Sequence, residues 1–150
     1  MVKRATIDDF LAQKTLALVG VSRDGKGFGN AVRKELAAKG YTLLLVHPEA
    51  DAIEGTRCAR SVRDVADRVG GVILVTPPAA TAKLVREVAE AGIGRVWIQQ
   101  GAESDEAIRY CEQHGVKVVH HQCVLMFSEP AAFPHRLHRG LLRLFGRLPS

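Results

Sequence analysis

Five short apolar runs, each stopped by a turn-forming or polar cluster and separated by segments of helical spacing, limit this chain to very few architectures. The runs are Leu16–Val19 closed by Gly20, Thr42–Val46 closed by His47-Pro48, Gly71–Val75 closed by Thr76-Pro77-Pro78, Arg95–Ile98 closed by Gln99-Gln100-Gly101, and Val116–Val119 closed by His120-His121-Gln122. A short strand that is apolar along its whole length, without alternation, is buried on both faces. Between the runs, helical spacing covers about 29–39 (Val32, Leu36, stop at Gly40), 61–68, 79–91 (Leu84, Val85, Val88, stop at Gly92) and 103–114 (stop at Gly115). Thr6-Ile7-Asp8-Asp9 predicts an N-cap at Thr6 leading a short amphipathic helix through Leu11, and a further helix is expected to begin near Cys123. Buried strands alternating with helices predict an α/β domain: a three-layer, doubly wound parallel sheet of about five strands.

At 150 residues the chain is expected to be one domain, 1–150, large enough to bury about 70% of the surface its unfolded form exposes. Apolar content of 47% and charged content of 25% fit a globular protein. No apolar stretch approaches the roughly 18 residues of a membrane span. Met1-Val2-Lys3-Arg4 leads into polar residues, so no signal peptide is expected. Cys58, Cys111 and Cys123 form no CxxC pair, which argues against a disulfide framework and for the cytoplasm.

The net charge of +5 is a property of the C-terminal tail. After Glu129 there is no carboxylate, while Arg136, Arg139, Arg143 and Arg147 follow, so the body of the chain is near neutral and a nucleic-acid partner is disfavoured. Over 135–148, Leu137, Leu141, Leu144 and Leu148 form one stripe of a basic amphipathic helix and the arginines the adjoining one. Such a helix can touch a membrane. Packing on its own domain or across a homodimer is favoured, because stable membrane attachment takes two signals.

Doubly wound sheets bind ligands outside the carboxyl ends of their strands. The first such end opens into Gly20-Val21-Ser22-Arg23-Asp24-Gly25-Lys26-Gly27-Phe28-Gly29, directly before a helix. Its glycines allow close backbone approach, and the helix N-terminus favours an anion. Ser22 can donate to phosphate oxygens, and Arg23 and Lys26 can compensate their charge. The spacing is neither G-x-G-x-x-G nor a Walker loop. NAD-binding domains carry a carboxylate at the end of the second strand to hold the ribose hydroxyls. This chain has His47-Pro48 there, which weakens an NAD reading and leaves NADP open.

Residues 10–128 resemble the small stand-alone CoA-binding proteins, a Rossmann-type family related to the CoA-binding domain of the succinyl-CoA synthetase alpha subunit. The resemblance rests on Val19-Gly-Val-Ser22 with Lys26 and Gly29, Leu45-Val-His-Pro48, Val75-Thr-Pro-Pro78, Val96-Trp-Ile-Gln-Gln-Gly101 and His121-Gln-Cys-Val-Leu125, in this order. It implies coenzyme A or an acyl-CoA as the ligand. Gly20, Ser22 and Lys26 would line the pyrophosphate, with Val21, Arg23, Phe28 and Gly29 in the same loop. His47 and Pro48 would sit by the phosphorylated ribose or adenine. Thr76, Pro77 and Pro78 would wall the adenine or pantetheine arm, and Gln99, Gln100 and Gly101 would border the rim. Cys123, near the expected site, is a candidate for a mixed disulfide with the CoA thiol. The family commonly reads Asn-Pro where this chain reads His47-Pro48.

No catalytic residue is assigned. His120, His121 and Cys123 suggest a nucleophile with its base. Neighbours on a strand point to opposite faces, however, and no third, orienting carboxylate is evident. His135 and His138 lack further ligands for a metal site. The expectation is a CoA-binding carrier, sensor or subunit without a reaction of its own. The alternatives are an NAD(P)-dependent oxidoreductase, a nucleotide-binding regulatory protein, or an interaction protein acting through its tail.

Overall fold

The computed structural model describes residues 2–127. Its strands are β1 (Thr15–Val19), β2 (Thr42–Val46), β3 (Ala52–Ile53), β4 (Thr56–Ala59), β5 (Gly71–Leu74), β6 (Arg95–Gln99) and β7 (Lys117–Gln122). The helices are α1 (Arg4–Leu11), α2 (Phe28–Ala38), α3 (Pro78–Glu90) and α4 (Asp105–Gln113). One sheet runs in the order β3-β4-β2-β1-β5-β6-β7, and every pairing but β3-β4 is parallel. The chain leaves β1 to form β2 on one side and later returns to form β5 on the other. The switch point is therefore the gap between the ends of β1 and β5.

Strand side chains alternate between two buried layers, which is why the runs are apolar throughout. Leu16, Leu18, Leu45, Ile73, Trp97 and Val119 meet Ile7 and Phe10 of α1, Val32 and Leu36 of α2, and Phe127. Ala17, Val19, Val72, Leu74, Val96 and Ile98 meet Val85 and Val88 of α3 and Ala107 and Cys111 of α4. Trp97 anchors the first layer, edge-on to Phe10 at 5.4 Å between centroids, and its indole N–H donates to the Gln122 carbonyl at 3.0 Å. Burial pushes the Cys111 thiol up to about 12, which leaves it a packing group.

Several expectations are corrected. The first helix starts at Arg4, with Lys3 rather than Thr6 at its N-cap, because the Lys3 carbonyl already accepts from the amides of Thr6 at 3.1 Å and Ile7 at 3.3 Å. The sheet has seven strands instead of about five. The added pair is a hairpin, β3-β4, turned by Glu54 (φ 47°) and Gly55 (φ 79°), the positive-φ pair of a two-residue type I′ connection. The 61–68 segment holds only a 3-10 turn, Val62–Val65, capped reciprocally by Ser61 and Asp64. The last strand extends through His120 and His121 to Gln122, and the segment after Cys123 begins as a 3-10 turn, Val124–Met126. The helix expected over 135–148 lies outside the described residues. Among the described residues no helix is long and apolar enough to cross a membrane.

Candidate functional site

At the switch point the backbone of β1 turns against that of β5. Gly20 has φ 115°, and a Cβ there would lie 1.9 Å from the Val75 carbonyl oxygen. Gly29, in the first turn of α2, is pressed against Gly20 in turn, a Cβ falling 2.2 Å from the Gly20 oxygen. These two glycines let α2 begin directly over the end of β1. The loop between them is tied internally. The Ser22 hydroxyl has its one proton shared between the Asp24 carboxylate and, at 2.9 Å, the Lys26 carbonyl. The Asp24 carboxylate also accepts from the Lys26 amide at 2.8 Å. The Ser22 hydroxyl, followed by the Lys26 amide, holds the Asp24 carboxyl below the usual carboxylate range. Asn30 Nδ2 donates to the same Lys26 carbonyl at 2.5 Å, while its buried Oδ1 has no partner among the described residues.

His47 closes β2 in a way that accounts for its place in the pattern. Its Nδ1 accepts from the amides of Glu49 at 3.0 Å and Ala50 at 2.9 Å. Nδ1 is bonded to Cγ, as Oδ1 is in asparagine, so the ring reproduces the Asx-turn acceptor that an Asn-Pro sequence would supply. The ring nitrogen left to donate is Nε2.

Two clefts flank the end of β5 and share Val75, Thr76 and Pro77. The larger, about 550 Å³, brings together Gly20, Val21, Ser22, His47, Pro48, Thr76 and Pro77. The smaller, about 280 Å³, brings together Thr76, Pro77, Phe28, Gln99, Gln100 and Gly101. Thr76 is held in place by a 2.7 Å hydroxyl contact to the buried Thr81. Arg23, Lys26, Gly29, Pro78 and Cys123 line neither cleft. Arg23 is paired instead with Glu49 at 3.2 Å, Gly29 is buried beneath the Gly20 turn, and Pro78 opens α3. Cys123 packs against the α1–α2 layer. The N-termini of α2 and α3, both at the clefts, have no side-chain cap and no acidic residue in the first turn. Such ends favour an anion.

The larger cleft also contains residues that motif reading passed over: Arg60 and Ser61 after β4, and Ala80, Lys83, Leu84 and Glu87 of α3. The α3 set recurs at i, i+3, i+4 and i+7, a readable helix face. Nothing in the spacing says that this face turns toward Gly20.

The histidine pair departs from strand alternation. His121 adopts φ 58° and the β6-β7 register shifts between Trp97 and Gln99, so the rings of His120 and His121 meet with their Nδ1 atoms 2.7 Å apart. A carboxylate is also close after all. Glu103 accepts from the Gly101 amide at 2.8 Å and from the His121 amide at 3.4 Å. Among the described residues its hydrogen bonds go to backbone, and it acts on the His120 ring only through its charge. Among the described residues no cluster of three or more His, Cys, Asp and Glu could hold a metal.

The chain belongs to the CoA binding domain family, whose model matches residues 14–129. The ADP-forming acetate–CoA ligase I of Archaeoglobus fulgidus is 28% identical over 129 residues, covering 79% of this chain but 19% of the ligase. The uncharacterized protein YneT of Bacillus subtilis is 24% identical over 122 residues, 81% of this chain and 90% of its own length. A solved structure of a conserved hypothetical protein from Pyrococcus furiosus superposes with a TM-score of 0.70 at 39% identity, covering 74% of this chain and 96% of that one. The chain thus spans a small part of the ligase and nearly all of the small relatives.

Proposed function

We propose that this domain binds coenzyme A or an acyl-CoA along the carboxyl edge of its sheet and performs no reaction on it unaided. The observation that carries the reading is the pair of clefts meeting at Thr76-Pro77, with two uncapped helix N-termini at their lips. In this reading the adenine lies in the larger cleft, against Val46, Pro48 and Leu84. The pyrophosphate crosses the Gly20–Ser22 turn at the start of α2, held by backbone amides, with Lys26 adding charge from the loop. The Ser22 hydroxyl stays with Asp24 and Lys26. The pantetheine arm passes Thr76-Pro77 into the smaller cleft between Phe28 and Gln100-Gly101. The domain would then serve as a carrier, a sensor or a component of a larger acyl-CoA enzyme.

Titration with CoA, acetyl-CoA, NAD, NADP and ATP tests this by calorimetry and thermal unfolding. A ligand bound only by the folded state stabilises it by about 2.7 kcal/mol at a hundredfold excess over Kd. Stabilisation by CoA and acetyl-CoA above the others is expected. Stabilisation by NAD without CoA would overturn the reading.

A further inference from the structure

The walls of the larger cleft are mostly apolar: Val19, Val46, Pro48, Val75 and Leu84 suit a flat heterocycle. Two cations nevertheless reach it from different elements. Arg60 enters from the end of β4 and Lys83 from the second turn of α3. Arg60 gives one N–H to Asp51, an exposed carboxylate, and a guanidinium has others to spare. Lys83 has no ion pair among the described residues. Glu87 is the carboxylate of the lining, and it lies beside the Ser61 hydroxyl at 3.5 Å. The cations that stand out in the sequence, Arg23 and Lys26, line neither cleft.

We propose that Arg60 and Lys83 hold the 3′-phosphate of the ligand ribose, so that this cleft distinguishes coenzyme A from nucleotides without that group. The inference rests on the CoA reading above. A phosphomonoester carries close to two negative charges at neutral pH, more than either phosphate of a pyrophosphate diester. It is the group that most requires cations, and a forked guanidinium beside an ammonium meets its oxygens from two sides. The adenine would occupy the apolar walls while the 3′-phosphate faces the cationic mouth.

The test compares CoA with 3′-dephospho-CoA by calorimetry, on the wild type and on Arg60→Gln, Lys83→Gln and the double variant. Thermal unfolding of each variant checks that it folds. The wild type is expected to prefer CoA by about tenfold or more, as charge-assisted hydrogen bonds imply. Each single variant should shrink that ratio, the double variant should bring it near one, and salt should compress it because the mouth is open to solvent. Arg60→Lys should keep part of it. Equal binding of both ligands by the wild type, or a ratio that survives in the double variant, overturns this inference and leaves the CoA reading standing. Failure of both ligands to bind defeats the CoA reading and the inference with it.

Discussion

The helices that follow strands of the parallel sheet begin in two different ways. At α4, Ser104 accepts from the Ala107 amide at 3.0 Å, and Asp105 and Glu106 occupy the first turn. At α2 and α3 the N-cap positions are Gly27 and Pro77, with no side-chain cap and no acid in the first turn. The α4 start lines neither cleft, whereas Phe28 and Pro77 do. A side-chain cap stabilises a helix by about 1 kcal/mol, and a first-turn acid by a few tenths or more. At α4 the Ser104 side chain takes up the Ala107 amide; no side chain does so at α2 or at α3, whose first residue, Pro78, has no amide hydrogen to offer. Under the CoA-binding proposal, the uncapped ends are those that would face the ligand and the capped end is structural.

The largest expected effect lies at the switch point. Gly20→Ala forces a Cβ into the Val75 carbonyl at a φ that alanine rarely adopts, and denaturant unfolding should show a loss of about 3 kcal/mol. An unchanged midpoint would mean that the β1 turn does not need this close approach. Next comes the structural end. Ser104→Ala should lower stability by about 1 kcal/mol without changing CoA affinity, read by unfolding and by titration. A loss of affinity there would erase the distinction between the two kinds of end.

Smaller effects sharpen it. Ala79→Asp places a carboxylate in the exposed first turn of α3 and should raise the stability of the ligand-free protein by about 0.5 kcal/mol. The same charge should weaken CoA binding, and opposite signs in the melt and the titration are the signature to look for. The smallest effect lies beyond α4. Burial, and then the charge of His121, hold the His120 imidazole below its ordinary value of 6.5. The unfolded chain then takes up a proton that the folded one resists, so this contribution is present above pH 6.5 and lost as the pH falls below it. Melting points between pH 7.5 and 5.5 should fall less for His120→Gln than for the wild type. Parallel slopes would mean that His120 contributes nothing to the pH dependence of stability.

Much of the architecture was legible because it depends on local pattern. Leu16 and Leu18 against Ala17 and Val19 declare a strand covered on both faces, and Gly40, Gly92 and Gly115 end the helices where expected. The β3-β4 hairpin was not legible, because Glu54-Gly55 is a poor statement of a type I′ turn: both central residues take a positive φ, which glutamate rarely adopts. The histidine pair misled for a related reason. Strand alternation holds only while φ stays extended, and His121 leaves that region.

Site residues divide along the same line. The sequence by itself determined the buried strands, the turn at Gly20 and the motifs at the strand ends, since each follows from residues near one another in the chain. It thereby pointed to Gly20, His47, Thr76 and Gln100 as neighbours at one edge of a sheet. Only the tertiary structure decided that Ser22 bonds within its own loop, that His47 turns Nδ1 to its own backbone, and that Arg23 belongs to Glu49. It also decided that Arg60 and Lys83 face one cleft. Those two lie on different elements, and spacing along a chain carries no record of which faces meet when the layers close.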